Sequence, residues 1–423
     1  MPNYQIGKIF QSSGNLTISE SANINEEWNA TWGSSGDDYC YSMAISKDGS
    51  IYLTGYVPNG KYGQKDLVLV KYYPNGTKEW NTSWGGPGND RGRSVIVGPD
   101  GAIYVGGWTD SYGSGNSDFV IVKFYSNGTL VWNNTWGSPA VDFGFSIAIS
   151  LDGAIYMTGW TNYGAGVYDI PLVMFYPNGT KAWNVTWGGI NSDGAHKLKI
   201  GADGSIYVVG FTVSFGPSNN NIVLLKFSMN GTLIWNITWG GDNYDCGTDL
   251  VIANNGNIYV VGYSDSYGAG NNDVVVLKFL SDGTKVWNIT WGGPDLDNGY
   301  GIAKDNLGNL FITGKTKSYG AGDYDVAILK VNPNGVLLWN ETWGTALADE
   351  GHDLKLLNDK ILYICGTVNK STPIGNDFLL IKFKNKVFIA TTPVIPGFDV
   401  VYLLVGVIII IYLKLSRKVK LLI

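Results

Sequence analysis

A tryptophan-rich motif recurs along the chain at a nearly constant spacing. It has the form W-N-x-[ST]-W-G, and its copies begin at Trp28, Trp80, Trp132, Trp183, Trp235, Trp287 and Trp339. Successive copies lie 52, 52, 51, 52, 52 and 52 residues apart. A fixed period of this length indicates a propeller or a solenoid.

Each repeat contains four short apolar runs. After Gly240, DLVIANNGNIYVVGY holds two runs hinged at Asn255-Gly256, and DVVVLKF and KVWNITW follow them. Asn-Gly between alternating apolar runs is a strong hairpin signal, because both turn residues adopt positive φ. Four strands per unit at fixed spacing predict propeller blades.

The strand count predicts how the ring closes. Residues 33–343 hold six complete units, and residues 349–384 hold three strands of a seventh. The N-terminal EEWNATW can supply the missing strand, which would leave no exposed sheet edge; KVFIAT at 386–391 is an alternative. The sequence therefore predicts an all-β, seven-bladed β-propeller over residues 25–391, closed by the N-terminal strand and preceded by an extension, residues 1–24.

Side chains alternate in the tryptophan strand. Both indoles point to one side, where we expect them to pack between blades, and Asn and Thr point outward. The outward asparagines begin N-x-[ST] glycosylation sequons at Asn29, Asn81, Asn133, Asn184, Asn236, Asn288 and Asn340. Asn and Thr suit a rim strand in any case; the alternative interpretation is a glycosylated extracellular surface.

The repeat resembles a known family. DGAIYVGGWT at 100–109 and DFVIVKF at 118–124 are similar to the SBBP β-propeller repeat of bacteria and archaea, and the resemblance extends over roughly residues 26–384. It implies a propeller fold in a secreted or surface-attached module. It implies no particular ligand, since a fold does not define a function.

The C-terminal region differs in composition from the repeats. Residues 400–413 are uncharged and apolar, and KLSRKVKLLI follows them. With snorkelling basic residues the segment approaches the ~20 residues of a spanning helix. We predict a linker (392–399), a transmembrane helix (400–416) and a basic cytoplasmic tail (417–423), with the propeller outside the cell membrane. Pro396-Gly397-Phe398 resembles an archaeal sorting tail, whereas residues 1–20 lack the apolar core of a signal peptide.

Charge and motifs favour a protein without catalysis. The net charge of −6 argues against a nucleic-acid partner. Three cysteines cannot pair completely, and we expect them to be small buried residues. No nucleophile elbow, phosphate loop or Cys-His metal spacing is present. His196 and His352 occupy equivalent positions in the fourth and seventh blades, where we predict separate, solvent-exposed strand ends rather than a shared metal.

Aspartates recur at two positions of the repeat, both predicted to lie in loops on one face. The first set, six residues after the second tryptophan, is Asp38, Asp90, Asp142, Asp193, Asp245, Asp297 and Asp349. The second set opens the third strand at Asp66, Asp118, Asp169, Asn221, Asp273, Asp325 and Asp377. Each Asp either fixes its loop by accepting backbone N–H bonds or contributes to a Ca²⁺ site. No other cofactor is expected.

The residue after the second-strand glycine is aromatic in five blades and polar in two. The set is Tyr56, Trp108, Trp160, Phe211 and Tyr263, then Lys315 and Thr367. These rings either pack between blades or form an accessible platform for sugars or peptides, with Trp108 and Trp160 as the main anchors. The sequence thus predicts a membrane-anchored extracellular binding or adhesion module for glycans or proteins. The alternative is a purely structural, glycosylated component of the cell envelope.

Overall fold

The computed structural model describes most of the repeat region and part of the C-terminal region. The described residues are 24–385, except 59, 165–166, 218 and 372–373, together with 398–405 and 408–415. The chain divides into two compact units, residues 1–385 and residues 386–423.

The first unit contains seven four-stranded antiparallel sheets, which are the blades of a propeller. The innermost strands of blades 1 to 7 are β2 Tyr39–Ile45, β6 Asp90–Val97, β10 Asp142–Ile149, β14 Asp193–Ile200, β18 Asp245–Ile252, β22 Asp297–Lys304 and β26 Asp349–Leu357. The second strands are β3 Ile51–Pro58, β7 Ile103–Thr109, β11 Ile155–Thr161, β15 Ile206–Thr212, β19 Ile258–Ser264, β23 Leu310–Thr316 and β27 Ile361–Ser371.

The third and fourth strands complete each blade toward the rim. The third strands are β4 Lys65–Tyr72, β8 Asp118–Phe124, β12 Ile170–Phe175, β16 Asn221–Phe227, β20 Asp273–Phe279, β24 Asp325–Val331 and β28 Ile374–Asn385. The outermost strands are β5 Lys78–Trp84, β9 Leu130–Trp136, β13 Lys181–Trp187, β17 Leu233–Trp239, β21 Lys285–Trp291, β25 Leu337–Trp343 and, for blade 7, β1 Ile24–Trp32.

The ring closes by interlocking distant parts of the chain. Neighbouring innermost strands contact one another in order from β2 to β26, and β26 contacts β2. Blade 7 has the strand order β26-β27-β28-β1, with Thr31 opposite Leu379 and Trp32 opposite Phe378. The predicted closure by the N-terminal strand is confirmed. The alternative strand, residues 386–391, lies outside the described residues.

The tryptophans of the outermost strands pack against the neighbouring blade, as predicted. Trp28 lies against Gly76 in the last turn of blade 1, so that an added Cβ at this glycine would be 2.9 Å from the indole. Trp84 contacts the Tyr112 ring of blade 2 at a centroid distance of 5.1 Å. The sequon asparagines on these strands are exposed, except for the half-buried Asn184.

The second unit contains two strands where a helix was predicted. They are β29 Phe398–Val405 and β30 Ile408–Leu415, which pair antiparallel with Val405 opposite Ile408. The prediction of a transmembrane helix over 400–416 therefore disagrees with the structure. The segment is rich in Val and Ile, whose β-branched side chains favour strands. Among the described residues, no helix has the length and apolarity needed to cross a membrane.

Candidate functional site

Every innermost strand carries a β-bulge at the same repeat position. In blade 1 the register with β3 shifts between Cys40 and Ser42, and the other six blades shift at the equivalent place. The bulged residues, nine after the second tryptophan of each motif, are Tyr41, Arg93, Phe145, His196, Thr248, Tyr300 and His352. A bulge redirects a side chain out of the regular alternation. All seven line one cavity of about 280 Å³ in the central channel, together with Lys197 and Tyr263. We call these seven residues the channel belt.

Aromatic and cationic side chains touch one another around most of the channel belt. The Arg93 guanidinium lies over the Tyr41 ring at 4.0 Å and over the Phe145 ring at 4.5 Å. Ring centroids are 5.5 Å apart for Phe145 and His196, and 5.7 Å apart for Tyr41 and His352. Cation–π contacts of this kind strengthen when the groups are removed from water. The channel belt therefore holds Arg93 in a fixed position.

The Arg93 charge has no counter-ion among the described residues. Its Nε is buried without a hydrogen-bond partner, and no described carboxylate forms an ion pair with it. Burial lowers the pKa of Arg93, but a guanidinium stays charged in proteins. Burial, and then the Arg93 charge, lower the pKa of His196 to about 4. At neutral pH this cavity thus contains an unpaired cation beside a neutral imidazole.

The carboxylate that contacts His352 of the channel belt already has two partners. Glu350 accepts a hydrogen bond from Lys315 Nζ at 2.9 Å, and His352 Nε2 lies 3.0 Å from its other oxygen. Burial alone would raise the pKa of Glu350, but these two partners outweigh burial and lower it to about 2. His352 Nδ1 also lies 2.6 Å from the Cys40 carbonyl oxygen.

The predicted aromatic platform lies mostly behind the channel belt. Tyr56, Trp108 and Phe211 are buried, at 5%, 8% and 8% exposure, and Trp160 and Tyr263 are half-buried. Trp160 stacks on Phe145 at 4.9 Å. These positions favour the packing interpretation for the three buried rings. Tyr263 is the residue of this set that lines the cavity.

The first set of aspartates is fully buried and fixes loops. In blade 2, Asp90 accepts hydrogen bonds from Gly86 N at 2.8 Å, from Ser111 Oγ at 2.7 Å and from Thr109 Oγ1. Asp297 has the same set of partners in blade 6. Within the described part of the chain, no three His, Cys, Asp or Glu side chains are grouped so as to hold a metal ion. The loop-fixing interpretation matches these contacts, and Ca²⁺ binding stays a prediction.

The prediction that the two histidines are separate and solvent-exposed is wrong. His196 and His352 are half-buried and line the same cavity, because closure of the ring brings blades 4 and 7 to one channel. The sequence contained a signal for this site. The position nine residues after the second tryptophan holds five different residue types in seven repeats, whereas the position six residues after it is Asp in all seven. The ninth position is thus one of the variable positions of the repeat, and variation of this kind is typical of side chains that packing between blades does not constrain.

Family models match three parts of the chain. Residues 98–130 and 253–285 match a β-propeller domain of unknown function, DUF5122, and residues 291–320 match the SBBP β-propeller repeat. The regulatory protein FlaEY of Caulobacter vibrioides is 26% identical over 211 residues, which are 41% of this chain and 22% of that protein. The match thus covers only about a fifth of this relative.

Solved structures of low identity share the fold. The WD40 domain of Neurospora crassa Pan2 has a TM-score of 0.53 and 11% identity, covering 86% of this chain and 96% of that one. A protein of unknown function from Dyadobacter fermentans has a TM-score of 0.50 and 12% identity, covering 86% and 99%. Such likeness establishes architecture and leaves function open. The chain is a seven-bladed β-propeller of four-stranded blades that carries the SBBP β-propeller repeat.

Proposed function

We propose that this propeller is a non-catalytic binding module that recognises an acidic glycan, with one carboxylate-bearing sugar unit held in the channel belt. The observation that carries the proposal is Arg93, fixed between Tyr41 and Phe145 in a cavity and lacking a counter-ion. An uncompensated buried charge is unfavourable, so an anionic ligand would find its partner already in place.

The side chains of the channel belt suit such a sugar chemically. A guanidinium binds a carboxylate through two parallel hydrogen bonds. Aromatic faces stack on the apolar face of a sugar ring, and neutral His196 and Thr248 offer donors and acceptors to hydroxyl groups. The volume of about 280 Å³ lies at the lower end of the range of small-molecule pockets. It therefore suits a single unit of a longer chain.

A cell-surface setting is consistent with the rim of the molecule. Six of the seven sequon asparagines on the outermost strands are exposed, as glycosylation there would require. We place the propeller outside the cell, attached through the apolar C-terminal segment. The same exposed rim also supports the second candidate, a glycosylated structural component of the envelope. The regulatory role in the name of the Caulobacter relative agrees with a binding module, although only a fifth of that protein is matched.

Calorimetric titration of the full chain with glucuronate oligomers, neutral glucose oligomers and an acidic peptide tests the proposal. We expect the acidic glycan to bind, and Arg93→Ala to weaken it at least tenfold. Arg93→Lys should give an intermediate loss, because it keeps the charge without the planar fork. Lys317→Ala is the matched control, since Lys317 is exposed and pairs with Asp323 at 3.0 Å. Equal binding of the neutral oligomer, or preference for the peptide, would refute the glycan assignment.

A further inference from the structure

The channel widens into two adjoining cavities beyond the channel belt. Their volumes are about 520 and 470 Å³, and both are lined by Lys199, Ile200, Lys355 and Leu356. The larger one shares Lys197 with the channel-belt cavity. We call these two cavities the lower chamber.

Two blades place a lysine in the lower chamber through similar sequences of the form His-x-Leu-Lys. Blade 4 has His196-Lys197-Leu198-Lys199 and blade 7 has His352-Asp353-Leu354-Lys355. The equivalent residues in the other five blades are small or apolar: Ala44, Ile96, Ala148, Val251 and Ala303. Because the ring brings these blades to one channel, Lys199 and Lys355 line the chamber from two non-adjacent blades.

The carboxylates beside this chamber are engaged in holding blades together. Asp353 accepts hydrogen bonds from Met43 N at 3.0 Å and Ser42 Oγ at 3.1 Å across the closure between blades 7 and 1. Asp249 accepts one from Ile302 N at 3.3 Å, across the contact of blades 5 and 6. Each also accepts the N–H of the residue that follows it. Both side chains are only 2% exposed, and Asp353 also lines the larger cavity beside Lys355.

The lysines outnumber these carboxylates. Lys355 pairs with Asp353 at 2.8 Å, whereas Lys197, Lys199 and Lys304 form no ion pair among the described residues. Burial lowers the pKa of Lys199 to about 8 despite the opposing charge of Asp249, and the charges of Lys197 and Lys355 add to the lowering. Lys199 is still mainly protonated at pH 7. The chamber therefore holds positive charge that an anion would compensate.

Most of the remaining lining side chains are apolar, although Ser42, Ser94 and Asn254 also line the cavities. Ile45, Val97, Ile149, Ile200 and Leu356 line the cavities around the lysines. We propose that the lower chamber binds an organic anion with an aliphatic body, whose head group lies at Lys199, beside the Lys355–Asp353 pair, and whose chain contacts these Ile, Val and Leu side chains. This site differs from the channel belt in residues, position and the polarity of the ligand.

Titration of the full chain with octanoate, octanamide and inorganic phosphate tests the proposal. We expect octanoate to bind, and Lys199→Gln to weaken it at least tenfold. Octanamide should bind at least tenfold more weakly, because it lacks the charge. The apolar C-terminal segment is present in every variant, so a difference between variants does not arise from it. Lys317→Gln, which alters an exposed lysine outside the channel, should leave binding unchanged.

Crossed variants separate this site from the channel belt. Arg93→Ala should weaken glucuronate binding at least tenfold and spare octanoate binding. Lys199→Gln should weaken octanoate binding at least tenfold and spare glucuronate binding. Lys199→Gln should also unfold at an equal or higher temperature, because it removes an uncompensated charge. If that variant fails to fold, Lys199→Arg, which keeps the charge, should retain octanoate binding. Equal binding of octanoate and octanamide, binding of phosphate alone, or unchanged octanoate binding in Lys199→Gln would overturn the proposal.

Discussion

At the scale of single residues, the spacing between blades depends on tryptophan and glycine together. Gly231, in the last turn of blade 4, has a φ of 86°, and an added Cβ would lie 2.8 Å from Trp183 of the preceding blade. Gly204, in the first turn of the same blade, has a φ of 73° and no atom within 4 Å of an added Cβ. Both glycines adopt a positive φ, but only Gly231 packs against an indole ring.

Gly231→Ala is expected to destabilise the protein more than Gly204→Ala. In each variant, the left-handed backbone conformation of the alanine costs roughly 1–2 kcal/mol of stability. Only Gly231→Ala must also displace an indole, which costs about 1–3 kcal/mol more. Urea unfolding of the two variants measures the difference. Equal losses of stability in the two variants would show that packing of Trp183 against the turn at Gly231 does not contribute to stability.

His196 gives the stability a pH dependence that can be isolated. The pKa of His196 falls from 6.5 to about 4 on folding. As the pH falls below 6.5, His196 is therefore protonated in the unfolded chain before it is protonated in the folded chain. The stability from neutral His196 is complete at pH 7 and is lost as the pH falls from 6.5 toward 4, by about 1–3 kcal/mol. His196→Gln should lose less stability than the wild type between pH 7 and pH 4.5 in urea titrations. Parallel losses in both proteins would contradict this assignment.

At the scale of elements, β1 completes blade 7 and covers the contact between blades 7 and 1. Cys40 and Cys365 lie there in one buried cluster, with Trp28, Ala30 and Trp32 of β1 packed against it. Burial raises the pKa of the Cys40 thiol, which makes it unreactive in the closed ring. Cys246 is equally buried in blade 5, away from the closure.

Deletion of residues 1–33 should lower the melting temperature and expose two strand edges. Cys40 and Cys365 should then react with a thiol reagent before Cys246 does, because only the first two lose their cover. Mass spectrometry of labelled peptides gives the order of reaction. A deletion variant with an unchanged melting temperature and protected thiols would mean that another strand, such as residues 386–391, closes the ring.

At the scale of the whole molecule, every strand of the seven blades lies within residues 24–385. A chain that ends at Asn385 should therefore keep the melting temperature of the full chain. Under the proposed attachment through the apolar end, the full chain should sediment with membranes, whereas the shorter chain should remain in the soluble fraction of cells. Fractionation and calorimetry of the two chains check both outcomes. A lower melting temperature in the shorter chain would show that residues 386–423 support the propeller.

Short-range sequence patterns predict the repeat architecture. The closing role of EEWNATW follows from the strand count over the whole repeat region. The period, the four strands of each blade and the outward sequons follow from turn chemistry and from side-chain alternation within 52 residues. The loop-fixing role of the buried aspartates was also predictable, because each accepts hydrogen bonds from nearby loops of the chain, as Asp90 does from Gly86 and Ser111. These features are encoded locally and repeated, so short-range patterns suffice to identify them.

The residues that meet in the channel depend on ring closure, which the repeat pattern does not describe. Tyr41 and His352 are 311 residues apart in sequence and stack at 5.7 Å, because ring closure joins blades 1 and 7. The bulge turns each channel-belt residue out of the regular alternation of side chains along its strand, and a sequence pattern of period two does not predict this change. Trp108 is buried, whereas Tyr263 lines the cavity, although both occupy the same repeat position. A site built from one residue per repeat depends on how seven repeats meet, and that geometry exists only in the closed ring.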